Sequence, residues 1–305
     1  MAAVVVFFSV TPPSSDYFLG SQNINTMFGT NVVYMILALA ALFPMISNSF
    51  DFSVGATMVL SDVLCAGLQQ KSGMSLALAI VLAMLASLVV GIVNGTFVTR
   101  FKMSPFVTTM GMSMVLYGIT LWYSAGSTFQ LSVTSPLFTF ATSRWFSLPS
   151  IFFVMLILAA VVWYVLRHTP YGRSLYAIGS NPVSARLVGV RVDRNMMIAF
   201  ILSAVISGFA GIIELGYQAV ATAQDGGSFL FPALAAVFLG ATAITPGFFN
   251  VVGTVISALF VSIAVSGLTL MGASGWPSYV FNGGALLVAV ALSTYLGRRK
   301  LRGKG

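Results

Sequence analysis

The sequence predicts an all-α, polytopic membrane bundle of about ten spans. Hydrophobic residues make up 58% of the 305 residues and charged residues only 7%, against roughly 25% charged in an ordinary soluble domain. So few charges cannot cover a water-soluble globule of this size. The apolar runs are continuous and of helix-spanning length, unlike the alternating segments of a transmembrane barrel. The basic residues, lastly, partition to one side of a bilayer once the spans are laid out.

Met1 to Val10 is apolar but only about half of the roughly 20 residues a span needs. It lacks the basic start and small-residue cleavage site of a signal peptide, so we read it as a span whose first half precedes this sequence. Val32 to Ser47 follows, then Asn48-Ser49-Phe50-Asp51. Asp51 stands where it can cap the third run, Phe52 to Leu68. Met74 to Thr99 carries no charge, and Arg100 and Lys102 make a basic turn before Pro105 opens the run to Ala125. The segment from Gly126 to Ser147 is polar and aromatic and reads as a loop. Leu148 to Leu166 is the sixth span. Met196 to Gly216, Phe229 to Ile244, Phe249 to Met271 and Tyr279 to Leu296 complete the set.

Placing the basic tail (Arg298, Arg299, Lys300, Arg302, Lys304) in the cytoplasm and alternating backwards tests the layout. Only Lys71 and Arg144 of the 14 basic residues then fall outside, and both termini are cytoplasmic. The net charge of +8 is thus a matter of topology and of lipid phosphates, with no nucleic-acid partner implied. One cysteine, Cys65, and one histidine, His168, exclude a disulfide framework and a metal cluster. The whole chain, 1–305, reads as a single transmembrane domain.

Within it, residues 167–195 form one polar loop with five arginines. Gly172 to Ile178 is expected to make two helical turns, with Gly179 as a left-handed C-terminal cap. Asn181 is an N-cap and Pro182 a first helical residue of a second short helix ending at Gly189. Asp193 is expected to cap the seventh span. Val183, Leu187 and Val190 fall close to one face of the second helix, with Arg186 displaced from it. The arginines are explained by topology alone; the paired caps instead point to a structured docking surface.

The run Gly172 to Val190 resembles the cytoplasmic coupling loop of the ribose-type ABC permeases, the membrane subunits of bacterial monosaccharide importers. Phe50-Asp51-Phe52-Ser53-Val54-Gly55-Ala56 is similar to the block that opens that family's third span. A weaker block is Ala235-Ala236-Val237-Phe238-Leu239-Gly240-Ala241-Thr242, followed by Gly253-Thr254. The resemblance covers nearly the whole chain and implies a bacterial inner-membrane import complex. Two permease subunits, identical copies or a copy and a paralogue, would form the pathway. Two ATP-binding cassette subunits would dock under the coupling loops, and a periplasmic binding protein would deliver the sugar. It assigns coupling to Gly172, Gly179, Asn181, Pro182, Ala185, Leu187 and Gly189. ATP and magnesium would reside on the partner ATPase, since no Gly-x-x-x-x-Gly-Lys-Ser/Thr run exists here.

The chain departs from the family in two places. An acidic residue usual before the eighth span is absent from Gly227 to Leu234, and the glycine-rich turn after that span reads Ala243-Ile244-Thr245-Pro246-Gly247. Such divergence is common in one partner of a heterodimeric pair.

Ionisable groups within spans are candidates for the pathway, namely Asp62 in mid-span, with a hydrogen-bonded structural acid as the competing explanation, and Glu214 near the outer end of its own span. Asn94 lies in the charge-free fourth span, where the packing face offered by Gly91 and Gly95 is the preferred explanation over a pathway role. Asp51, Ser53 and Gly55 sit at the cytoplasmic end, where capping and close packing are the competing explanation. For Glu214 the competitor is snorkelling, its cost of about 3 kcal/mol being offset by apolar neighbours. Tyr217, Gln218, Gln224 and Asp225 fall on the outer side, towards a binding protein. The rival to a non-enzymatic ABC permease is an ion-coupled secondary transporter acting alone, with Asp62 and Glu214 as its coupling acids.

Overall fold

The computed structural model describes residues 1–12, 14–223, 226–244, 247–272, 275–276, 279–281, 283–285, 287–288 and 291. Half of the expected tenth span and all of the basic tail lie outside them. The chain begins with α1 (Ala2–Val10), α2 (Ser15–Phe18) and α3 (Ser21–Asn25). A π-helical turn, Thr26–Thr30, leads into α4 (Val32–Ile46), every residue of which is buried. Asn48, with φ of 59°, takes the left-handed conformation that stops α4.

Next come α5 (Val54–Ser72), α6 (Leu76–Thr99) and α7 (Pro105–Ser124). Gly73, with φ of 61°, ends α5, and Pro105 occupies the first turn of α7, where a missing N–H costs nothing. The stretch expected as a loop contains α8 (Pro136–Thr142) and short strand pairings. β1 (Phe129–Gln130) runs antiparallel to β4 (Val220–Ala221), and β2 (Arg144–Trp145) to β3 (Leu148–Pro149). Then follow α9 (Ser150–His168), α10 (Pro170–Ser180), α11 (Pro182–Leu187), α12 (Val192–Gln218), α13 (Gly226–Ala243) and α14 (Val251–Leu270).

Helix α12 is the hub, packed against α4, α5 and α6. Small residues allow the approach, as expected where bilayer helices associate by packing. A Cβ at Gly91 would overlap the backbone of Ile201, and one at Gly211 would overlap the Met58 carbonyl. The outward face of α6 is apolar, with Leu78, Val81, Leu85, Val89 and Ile92 exposed at helical spacing. Such a stripe suits lipid rather than water. Among the described residues six helices are long and apolar enough to cross a membrane: Ser21–Ile46, Leu76–Thr99, Pro105–Ser124, Ser150–His168, Val192–Gln218 and Val251–Leu270. α13 is a shorter apolar helix. α5 is long enough at 19 residues but carries Asp62, Gln69, Gln70 and Lys71. The chain is a helical integral membrane protein.

Candidate functional site: a surface helix pair and a buried polar node

Thr169 opens α10, its hydroxyl accepting from the Gly172 N–H at 3.3 Å, with Pro170 in the first turn. α10 therefore begins two residues before the expected Gly172. It also runs through Gly179 to Ser180, so Gly179 is not a left-handed cap. Its lack of a side chain serves close approach instead, because a Cβ there would overlap the Ile46 carbonyl at the end of α4. Gly172 is constrained similarly by the Leu166 carbonyl of α9. The Tyr176 hydroxyl donates to the Phe249 carbonyl at 2.9 Å, just before α14. Burial pushes the Tyr176 phenol up, against a smaller lowering by Arg167, which keeps it a donor. α10 thus touches the ends of two long helices.

Asn181 caps α11 as its sequence predicts, the Oδ1 accepting from the N–H groups of Val183 (2.9 Å) and Ser184 (3.1 Å). Gly189, with φ of 85°, makes the turn that follows. Ala185 points inward, 4% exposed, in a cluster with Ile178 and Val192, so it is a packing residue and not a docking one. Val190 packs against the same cluster. The exposed apolar side chains are Val183 (69%), Leu187 (84%) and Val188 (78%). Pro182 is also exposed. Val188 takes the outward role expected of Val190, because the helix ends at Leu187 and the chain turns.

Asp193 lies in the first turn of α12 and does not cap it; the N-cap is Arg191. Its carboxylate instead pairs with Lys102 (2.8 Å) and Arg186 (3.1 Å). The basic turn before α7 is thereby tied to α11.

The candidates Asp51, Ser53 and Asn94 come together. Asp51 Oδ1 accepts from the Ser53 N–H at 3.0 Å and from the Ser53 hydroxyl at 2.5 Å. Asn94 Nδ2 donates to Ser53 Oγ at 2.9 Å. The Ser203 hydroxyl of α12 donates to Asp51 Oδ2 at 2.8 Å. All four residues are at most 1% exposed. Asp51 does not cap α5, whose N-cap is Ser53 with no side-chain bond; it fastens the α4–α5 connection to α6 and α12. Ser203 was invisible to sequence reasoning, since a lone serine in an apolar run carries no signal of its distant partner.

The other candidates stand apart. A Cβ on Gly55 would overlap the Gly226 carbonyl, so Gly55 packs against the start of α13. Asp62 is 1% exposed where α5 meets α12 at Gly211, and Glu214 is 5% exposed. Glu214 therefore does not snorkel. Tyr217 and Gln218 line a cavity of about 440 Å³ with Arg144 and Asn25; Gln224 and Asp225 lie outside the described residues.

Apolar outward faces around a buried carboxylate node, with one ordered polar loop, define a polytopic helical membrane protein. The chain belongs to the family described as branched-chain amino acid transport system / permease component, whose profile matches residues 23–290. It is 32% identical to the ribose import permease protein RbsC of Bacillus subtilis (strain 168), over 95% of this chain and 89% of that protein. Identity is 29% to the galactose/methyl galactoside import permease protein MglC of Salmonella typhimurium, covering 98% of this chain and 93% of that one. It is 28% to the autoinducer 2 import system permease protein LsrC of Photorhabdus laumondii, covering 96% and 87%. Among solved structures, PsaBC from Streptococcus pneumoniae in complex with Fab is similar at a TM-score of 0.44 and 12% identity, over 96% and 94% of the two chains. That likeness is too remote to inform the fold.

Proposed function

We propose that this chain is the membrane-spanning subunit of a binding-protein-dependent ABC importer for a monosaccharide or similar sugar-like solute. It sits in the bacterial inner membrane with ten spans and both termini in the cytoplasm. α10 and α11 receive the ATPase subunit, a binding protein delivers the solute on the opposite side, and a second permease copy or paralogue completes the pathway. ATP binding and hydrolysis on the partner bias the subunit between inward- and outward-open arrangements.

The observation that carries this reading is α11. A capped helix presents Val183, Leu187 and Val188 to solvent, and exposed apolar clusters on an otherwise polar surface are characteristic of binding partners. The names of the relatives, import permeases for ribose, galactose and autoinducer 2, support the same class of cargo.

Reconstitution in proteoliposomes tests it. Uptake of a sugar is expected to require added ATPase subunits, binding protein and ATP, and to survive an ionophore. Uptake by this chain alone, abolished when the ion gradient collapses, would sink the reading. It would favour an ion-coupled carrier using Asp62 and Glu214.

A further inference from the structure

A cavity of about 600 Å³ lies between the N-terminal part of α4, the start of α13, the middle of α14 and the chain beyond α14. That volume falls in the range of roughly 300–1,000 Å³ typical of small-molecule sites. Its depth follows from the helices that line it. The C-terminal end of α4 meets α10 at Gly179, and the start of α14 meets it at Tyr176, so both ends mark the coupling side. Tyr34 lies 12 residues from Ile46 and Ser262 lies 11 from Val251. At 1.5 Å per residue these are about 18 Å and 16 Å, close to half of a hydrocarbon core about 30 Å thick. In secondary transporters, sites built at interrupted helices occupy the same midplane level.

The wall is prepared for hydrogen bonding. Asn31 Nδ2 donates to Ser262 Oγ at 2.7 Å, and the Ser262 hydroxyl donates to the Met27 carbonyl at 3.1 Å. The Met27 carbonyl belongs to the π turn, a departure from regular helix that recurs at functional sites. The Tyr34 hydroxyl donates to the Ala258 carbonyl at 3.0 Å, so its oxygen retains acceptor capacity. Asn31, Tyr34 and Ser262 thus hold one another's helices in register; Ser262 (1% exposed) and Tyr34 (5%) are covered and brace the wall, while the half-buried Asn31 amide and the exposed Ser228 face the cavity. Phe229, Phe231 and Tyr279 add aromatic surface, and no charged side chain lines the cavity among the described residues.

We infer that this cavity is a transit site for a neutral polyhydroxylated solute, with the Asn31 amide, braced by Ser262 and Tyr34, and the Ser228 side chain as its polar wall. Hydroxyl-rich solutes exchange water for such neutral donors and acceptors, while their C–H faces meet the aromatic rings. An amino acid zwitterion would bring a carboxylate and an ammonium into a low-dielectric site with no charge to pair with either, a large penalty. The inference rests on the proposed transport function and adds to it a location and a selection against charged solutes.

The test uses the permease assembled with its ATPase, Cys65 replaced by alanine, and a reporter cysteine at Val265 (V265C) in the cavity wall. Gly227→Cys is the second reporter if the first does not assemble, since a Cβ there meets nothing within 4 Å. Modification by a water-soluble maleimide is followed with D-ribose, D-galactose or L-leucine present in excess. At least one sugar is expected to slow labelling by about threefold or more, the scale of one or two neutral hydrogen bonds, and L-leucine is not. No slowing by either sugar, or equal slowing by L-leucine, overturns the assignment. ATP-driven uptake of the same sugars by the Cys65→Ala complex, with binding protein added, is measured in parallel. Uptake without protection discards this cavity and leaves the importer standing, whereas absence of any sugar uptake removes the importer reading itself.

Discussion

Gly179 of α10 rests directly on the carbonyl of Ile46, the last residue of α4, with no room for even a methyl group between them. α4 is buried along its whole length. A displacement of α10 therefore reaches the centre of the bundle through backbone contact, without an intervening flexible side chain.

Gly179→Ala is expected to force the two helices apart, at about 1–3 kcal/mol for overpacking. Thermal unfolding of the purified subunit should show a lowered Tm, and ATP-driven uptake should fall. Gly118→Ala on α7 is the control, because a Cβ there meets nothing within 4 Å; its Tm should match or exceed that of the parent. Equal behaviour of the two variants would remove the special role of the Gly179 contact.

Ser203→Ala deletes one donor to the Asp51 carboxylate, and Asn94→Ala deletes the donor to Ser53, which itself donates to Asp51. Each is expected to destabilise by about 1–3 kcal/mol, the scale of a lost bond to a charged or buried group. Because both act through one carboxylate, the double variant should deviate from additivity by about 0.5 kcal/mol or more. Strictly additive unfolding energies would show that the four residues do not act as one node.

Asn181→Ala removes the cap of α11 at an expected cost of about 0.5–2 kcal/mol. The loss should be local. Hydrogen exchange at Val183 and Ser184, whose N–H groups the Asn181 side chain holds, should accelerate while exchange along α4 is unchanged. Affinity for the ATPase subunit should drop with it.

Leu187→Asp places a charge on the most exposed apolar side chain of α11 and should leave the Tm of the isolated subunit unaltered. Pull-down by the ATPase subunit should weaken about tenfold or more, as for truncation of an interface anchor. Ala185→Asp, in contrast, puts a carboxylate into a packed cluster and should lower the Tm before any partner is added. Undiminished ATPase binding by the Leu187 variant would move the docking surface elsewhere.

The local grammar of the polar loop, residues 167–195, was legible from the chain alone. Asn181-Pro182 started a helix and Gly189 turned the chain out of it, because capping involves only residues two or three positions apart. Gly179 was misread for the complementary reason. Glycine after a helical run suggests a left-handed cap, but what excludes a side chain here is the carbonyl of Ile46, on another helix. Asp51 was misread in the same way: an acid before a helix suggests a cap, and its partner Ser203 lies 152 residues on. Val188 took the outward role expected of Val190 because a helix of six residues ends before its periodicity can be extrapolated.

By itself, then, the sequence determined the solvent this protein lives in, the helical class and the position of the structured polar loop. Those follow from composition, the length of apolar runs and short-range hydrogen bonding, each a sum over neighbours in the chain. Only the tertiary structure decided that Asp51, Ser53, Asn94 and Ser203 form one node and that Gly179 bears on α4. It also decided that Asn31, Tyr34 and Ser262 line a shared cavity. In a bundle held by close packing, the partner of a small or polar residue is set by which helices lie side by side, and no residue's own chemistry records that.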